Sequence, residues 1–190
     1  MFQQKIAVII AGGKSSRMQK DKALLPFGGY ASLAEYQYRR LSKIFSKVYL
    51  SSKENKFDFE VEIIEDITTS SSPLVALVSV FETLSADEVF VLSVDAPFVT
   101  QEIIEKLYAE KNETFDVIVA KSSHSIEPLC AIYQRTFLPK AKIALKENQH
   151  RLQRLLAKLE VKEIEFKASK YFMNLNYPNE YEDAKKLLPN

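Results

Sequence analysis

Cysteine is almost missing from this sequence. Cys130 stands alone among 190 residues, which excludes an internal disulfide and a metal site made of thiolates. It lies in the apolar, strand-like run PLCAIY, so core packing is expected of it rather than nucleophilic chemistry. A reducing cytoplasmic setting suits such a chain. Long hydrophobic runs are missing too. Ile6–Ala11 is far too short to cross a membrane, and MFQQK ahead of it makes a poor signal peptide. A soluble protein with no membrane partner is expected. Nor is there an excess of charge: with 26 basic and 25 acidic residues, net +1, nucleic acid is not an expected partner. Any phosphate chemistry has to come from local clustering of cations.

What is present is an alternation of strand and helix signals. Strands are predicted at Ile6–Ala11, Lys47–Ser51, Val61–Ile64, Val89–Val94, Phe115–Ala120, Glu127–Tyr133 and Val161–Phe166. The first and fourth are continuous apolar runs, as strands buried on both faces require. Helices are predicted over Ser32–Phe45, Leu74–Leu84, a segment N-capped by Thr100 with Ile103, Ile104 and Leu107 on its apolar face, two pieces of Arg135–Glu160, and Asn179–Leu188. Ser70–Ser72 reads as a loop. Repeated strand–helix–strand units predict an α/β fold: a single-domain, Rossmann-like, mostly parallel sheet with helices on both faces. One domain spanning residues 1–190 is expected, burying roughly 70% of the surface its unfolded chain exposes.

In an open parallel sheet, ligands bind beyond the carboxyl ends of the strands. The loop after the first strand, AGGKSSRMQKDKALLPFGG, places Lys14, Arg17, Lys20 and Lys22 around one acid, Asp21. Gly12 and Gly13 permit close backbone approach to an anion. The dinucleotide fingerprint fails, because no further glycine follows until Gly28, and the P-loop spacing is not met. A triphosphate suits what remains, cations beside free amides, although a solvated surface loop stays open as an alternative. Asp95 ends the fourth strand in VLSVDAPFV, where a carboxylate reaches the same crevice. Mg2+ typically takes one or two protein carboxylates together with phosphate oxygens and waters. The alternative for Asp95 is a turn or capping aspartate.

Three segments together, AGGKSSRMQKDKALLPFGG, SVDAPFV and NLNYPNEYEDAKKL, resemble molybdenum cofactor guanylyltransferases. The likeness runs over nearly the whole chain, and its first motif is highly specific. The resemblance implies binding of GTP and Mg2+, and transfer of GMP to the terminal phosphate of molybdopterin with release of pyrophosphate. It implies that Ala11, Gly12 and Gly13 hold the nucleotide through backbone atoms, and that Arg17 and Lys22 contact its phosphates; Lys14, from its place among the loop cations, is expected to be a third contact. Asp66 matches the nucleotide-side aspartate of the family, Asp95 its magnesium ligand, and Asn176 a late asparagine near metal and acceptor. Other cofactor-biosynthesis proteins and molybdoenzyme chaperones are further implied partners.

Several positions depart from the family pattern. Gln19 stands where glycine is usual, Lys53 where asparagine is common, and Tyr177 where threonine precedes Pro178. Ser72, Val75 and Ala76 replace Gly, Ala and Gly in a segment near base or ribose. A CTP- or sugar-directed nucleotidyltransferase and a catalytically inactive GTP-binding module therefore stay open. Of the two histidines, His124 reads as a loop residue or one facing the acceptor, and His150 as a surface residue. Arg151 and Arg154 share a helical face that is either solvated or turned to an anionic acceptor.

Overall fold

The apolar run near the start of the chain is buried because it becomes an inner strand. The computed structural model describes residues 2–12, 20–68, 70, 72–123 and 125–188; Gly13, Lys14, Arg17, Gln19, Ser71 and His124 lie outside the described residues. Its strands are β1 (Phe2–Ile10), β2 (Phe45–Ser52), β3 (Glu62–Glu65), β4 (Glu88–Ser93), β5 (Val117–Lys121), β6 (Ile126–Gln134) and β7 (Val161–Glu165). They form one sheet in the order β3-β2-β1-β4-β6-β5-β7. Among the described residues only β6 runs antiparallel to its neighbours, β4 and β5. The mostly parallel sheet expected from the alternation is thus observed.

Alternation of side chains across the pleat feeds two cores. Ala7, Ile9, Phe90 and Leu92 enter one, against α1 (Leu33–Leu41), α3 (Gln101–Ala109) and α6 (Pro178–Lys186). Val8, Ile10, Val89 and Val91 enter the other, against α2 (Pro73–Thr83), α4 (Phe137–Lys146) and α5 (Leu152–Leu156). Residues Leu74 to Phe81 of α2 are all buried, the condition of a helix apolar on every side. Each fully buried Leu, Val or Phe is worth ~1.5–3 kcal/mol relative to exposure, which is why both faces of the sheet are covered.

Several element boundaries differ from the sequence expectation, most clearly at the first helix and the first strand. The first helix stops at Leu41 rather than running to Phe45. The Ile44 amide closes a turn on the Leu41 carbonyl, and Phe45 opens β2 opposite Phe2, its ring stacked on Phe90 at 5.4 Å. That pairing also carries β1 back to Phe2, ahead of the apolar run. Thr100 occupies the N-cap of α3 with extended backbone, but its hydroxyl makes no capping bond. The two helical pieces after Arg135 are separated at Asn148, whose φ of 56° is a left-handed conformation that asparagine tolerates.

Candidate active site at the strand ends

β1 and β4 are parallel neighbours, while the chain leaves β1 for β2 on one side and β4 for strands on the other. At such a divergence the loops part and leave a crevice. Ala11 donates to the Ser51 carbonyl at 2.9 Å, and Val94 to the Ile10 carbonyl at 3.0 Å, so both loops leave from a fixed frame. A Cβ on Gly12 would meet only ordinary contacts, at 3.8 Å from the Ser52 backbone. Among the described residues, neither crowding nor a positive φ requires glycine there. A ligand brought close to the backbone would. Gly28 is different: its φ is +58° and a Cβ would lie 2.5 Å from the Tyr36 ring, so this glycine serves the turn closed by the Phe27–Tyr30 bridge.

Three residues far apart in sequence converge on the crevice. Lys22 Nζ lies 2.5 Å from Asp95 Oδ2 and 3.0 Å from Asn176 Oδ1. The other carboxylate oxygen of Asp95 accepts from Ser93 Oγ at 2.6 Å. Lys22 is placed by the short 3-10 turn Lys22–Leu24, whose first amides are capped by Asp21 through Ala23 N at 3.0 Å. Asn176 is placed from both sides. The preceding Leu175 amide donates to the Asp95 carbonyl at 2.9 Å, and Glu180 Oε2 accepts from the Asn176 and Tyr177 amides at 2.7 and 3.0 Å. Glu180 thus reaches back from the first turn of α6, in the manner of a capping box.

Lys56 is a component that the sequence did not reveal. Its ammonium pairs with Asp21 Oδ2 at 2.5 Å and donates to the Ala11 carbonyl at 3.3 Å. Ala11 and Asp21 flank the basic loop, so Lys56 ties its two ends together. Lys20 is exposed, as expected of a surface charge.

Asp66 follows β3 and lies apart from the Lys22 cluster, in a depression of about 390 Å3 shared with Lys53, Ile67 and Thr68. Its Oδ1 is buried without a hydrogen-bond partner among the described residues. Burial raises the carboxyl pKa, and the Lys53 charge opposes that rise. A raised acid pKa penalises the folded state only once the group ionises, so the penalty is absent at low pH and grows as the pH climbs through the raised value. Asp66→Asn is therefore expected to raise the melting temperature at pH 8, with a gain that shrinks as the pH falls toward 4. Thermal denaturation across that range checks it; a gain that does not vary with pH would contradict this account of the Asp66 carboxyl.

An open cleft of about 600 Å3 adjoins the cluster, with Asp95, Asn174 and Asn176 on one wall and His150, Arg151 and Arg154 on another. Arg151 and Arg154 are exposed but border this cleft rather than a featureless solvated face. His150 departs from the expectation of a simple surface residue. Its ring is 3.3 Å from Ser72 Oγ and 3.1 Å from Asn148 Oδ1, joining the start of α2 to the loop before α5. Ser72 also caps α2 through Val75 N at 3.2 Å. Its φ of −152° is extended backbone open to any residue, so replacing glycine there costs no strain and supplies a cap. Cys130 is buried, and burial pushes its thiol pKa up, in keeping with an inert core residue. Among the described residues no three metal-binding side chains cluster, and no helix is long and apolar enough to cross a membrane.

Comparison with known proteins gives a consistent picture. Residues 7–164 match the model of a MobA-like NTP transferase domain. The chain is 36% identical over 180 residues to a molybdenum cofactor guanylyltransferase of Campylobacter jejuni, covering 94% of each chain. It is also 36% identical over 186 residues to one of Helicobacter pylori, covering 95% of this chain and 92% of the other. Among solved structures, molybdopterin-guanine dinucleotide biosynthesis protein A of Archaeoglobus fulgidus shares the fold with a TM-score of 0.83 at 21% identity, over 96% of this chain and 97% of that one.

Proposed function

The chain belongs to the MobA-like NTP transferase family, and from that premise we propose that it transfers GMP from GTP to the phosphate of molybdopterin, releasing pyrophosphate. The observation that carries this reading is the convergence of Lys22, Asp95 and Asn176 where the β1 and β4 loops part. Two close relatives named for guanylyl transfer to the molybdenum cofactor support the choice of substrates. The whole of residues 1–190 acts as one nucleotidyltransferase domain in this reading.

In the proposed reaction an oxygen of the acceptor phosphate attacks the α-phosphorus of GTP. A new phosphoanhydride bond forms, the bond to the β-phosphate oxygen breaks, and its electron pair leaves with pyrophosphate. A phosphate oxygen is already anionic at neutral pH, so no strong general base is needed. Catalysis then rests on positioning and on neutralising charge. Lys22 is the cation for the phosphates, delivered from its pairing with Asp95. Gly12 offers backbone to the nucleotide and leaves room for close approach, while the Ala11 amide is held by Ser51 and only its carbonyl, shared with Lys56, faces the site. Gly13, Lys14 and Arg17 hold the same expectation from sequence alone. Asp66, with its unpartnered oxygen, takes the nucleoside side of GTP. The exposed Arg151 and Arg154 face the anionic acceptor across the cleft.

The donor set fits Mg2+: the Asp95 carboxylate and the Asn176 amide oxygen are both hard oxygens. These two residues would hold the ion, which supplies charge neutralisation for the phosphates when bound. Incubating the protein with GTP, Mg2+ and molybdopterin is expected to release pyrophosphate and form a guanine dinucleotide in equal amounts, read by phosphate assay and mass spectrometry. Tight GTP binding with no pyrophosphate released in the presence of acceptor would instead identify a binding module without catalysis.

A further inference from the structure

Directly beneath the Asp95 loop lies a polar network in an otherwise apolar core. Gln37 of α1 is completely buried, at the i+4 position between the core residues Leu33 and Leu41. Its Nε2 faces three backbone carbonyls of the loop that follows β4: Ser93 and Val94 at 3.3 Å, and Ala96 at 3.1 Å. Its Oε1 accepts from Arg40 Nε at 3.2 Å and Nη2 at 2.5 Å, while Arg40 Nη1 donates to the Val99 carbonyl. A guanidinium only donates, so Arg40 forces the amide of Gln37 to turn its oxygen toward Arg40 and its N–H groups toward the loop. No carboxylate pairs with Arg40 among the described residues, and burial lowers its pKa. Arg40 is half-buried, and the network's hydrogen bonds go to the backbone on both sides of Asp95.

We propose that Gln37 and Arg40 are positioning residues for Asp95: Arg40 orients Gln37, and Gln37 fixes the backbone from Ser93 to Ala96 so that the Asp95 carboxylate is held ready for a divalent cation. This rests on the reading of Asp95 as the metal-binding carboxylate of the transfer site. Supporting groups of this kind typically change metal affinity or activity by ~10–100-fold when removed.

The test measures Mn2+ binding to the protein–GTP complex by electron paramagnetic resonance, together with melting temperature, kcat and KM for GTP. Gln37→Met is expected to weaken Mn2+ binding roughly 10-fold and lower kcat by a similar factor, with KM for GTP changed less than about 2-fold. Gln37→Glu separates positioning from mere stability. Its carboxylate keeps an acceptor for Arg40 but turns an oxygen instead of N–H groups toward the three carbonyls, so Mn2+ affinity, measured well below the melting temperature where the variant is folded, falls at least as far as in Gln37→Met. Should Gln37→Met fail to fold, the glutamate variant carries the test alone. Wild-type Mn2+ affinity in Gln37→Glu overturns the positioning role. Wild-type Mn2+ affinity in Asp95→Asn overturns the reading of Asp95 itself, so the two failures are told apart.

Discussion

Asp95→Ala is expected to lower turnover by ~10²-fold or more, since in the proposed reaction it removes the carboxylate that would hold Mg2+ against the transferring phosphate. The reason lies in how little else is available. Among the described residues no cluster of three metal-binding side chains exists, and of the two residues proposed to hold the ion, loss of Asp95 leaves only the Asn176 amide oxygen. Both oxygens of Asp95 are already engaged, one by Ser93 and one by Lys22, so the carboxylate is placed before substrate arrives, and in the proposed reaction Lys22 leaves it for the phosphates as the ion binds. The defect should fall on kcat, and added Mg2+ should restore it only in part. Steady-state kinetics over a range of Mg2+ concentrations provide the check, and turnover like that of the wild type would remove Asp95 from the mechanism.

Lys22→Ala is expected to cost a comparable ~10²-fold, by a different route. Lys22 lies between Asp95 and Asn176, and in the proposed reaction its ammonium takes a phosphate group. Removing it leaves the partly buried Asp95 carboxylate without its cation, so the folded protein also loses stability, by roughly 1–3 kcal/mol for an unsatisfied partner. Both KM for GTP and kcat should worsen. The two losses should not multiply in the double variant, because the residues act as one unit. A double variant whose defect equals the product of the singles would show that they act independently.

The sheet and its covering helices were legible in the sequence because each depends on short-range patterns. Val8 to Ile10 and Val89 to Leu92 are apolar at every position, and strands buried on both faces must be. The boundaries that shifted, at Leu41 and at Phe2, were decided by the pairing of Phe45 with Phe2 and its stacking on Phe90, contacts that no local pattern announces. In the site, Lys22 and Asp95 are 73 residues apart and Lys22 and Asn176 are 154 apart. Their motifs marked them, but only the β1–β4 adjacency brings them into contact.

Other parts of the site left weaker traces. Gln37 interrupts the apolar stripe Leu33–Leu41, and a polar residue at a core position is the one signal that might have singled it out. Glu180 stands at the third position of a helix start, where a capping glutamate is common. Lys56 left no trace at all, because nothing local distinguishes it from other loop lysines. Ser72 shows the reverse case. It departs from the family pattern, yet extended backbone and a capping bond to Val75 N make it a sound start for α2.

A panel of the four nucleoside triphosphates, each incubated with molybdopterin and Mg2+, separates guanylyl transfer from its alternatives. Pyrophosphate released with GTP, dependent on molybdopterin and well above the level with CTP, is the predicted result. Faster release with CTP, or release that does not require molybdopterin, would contradict it.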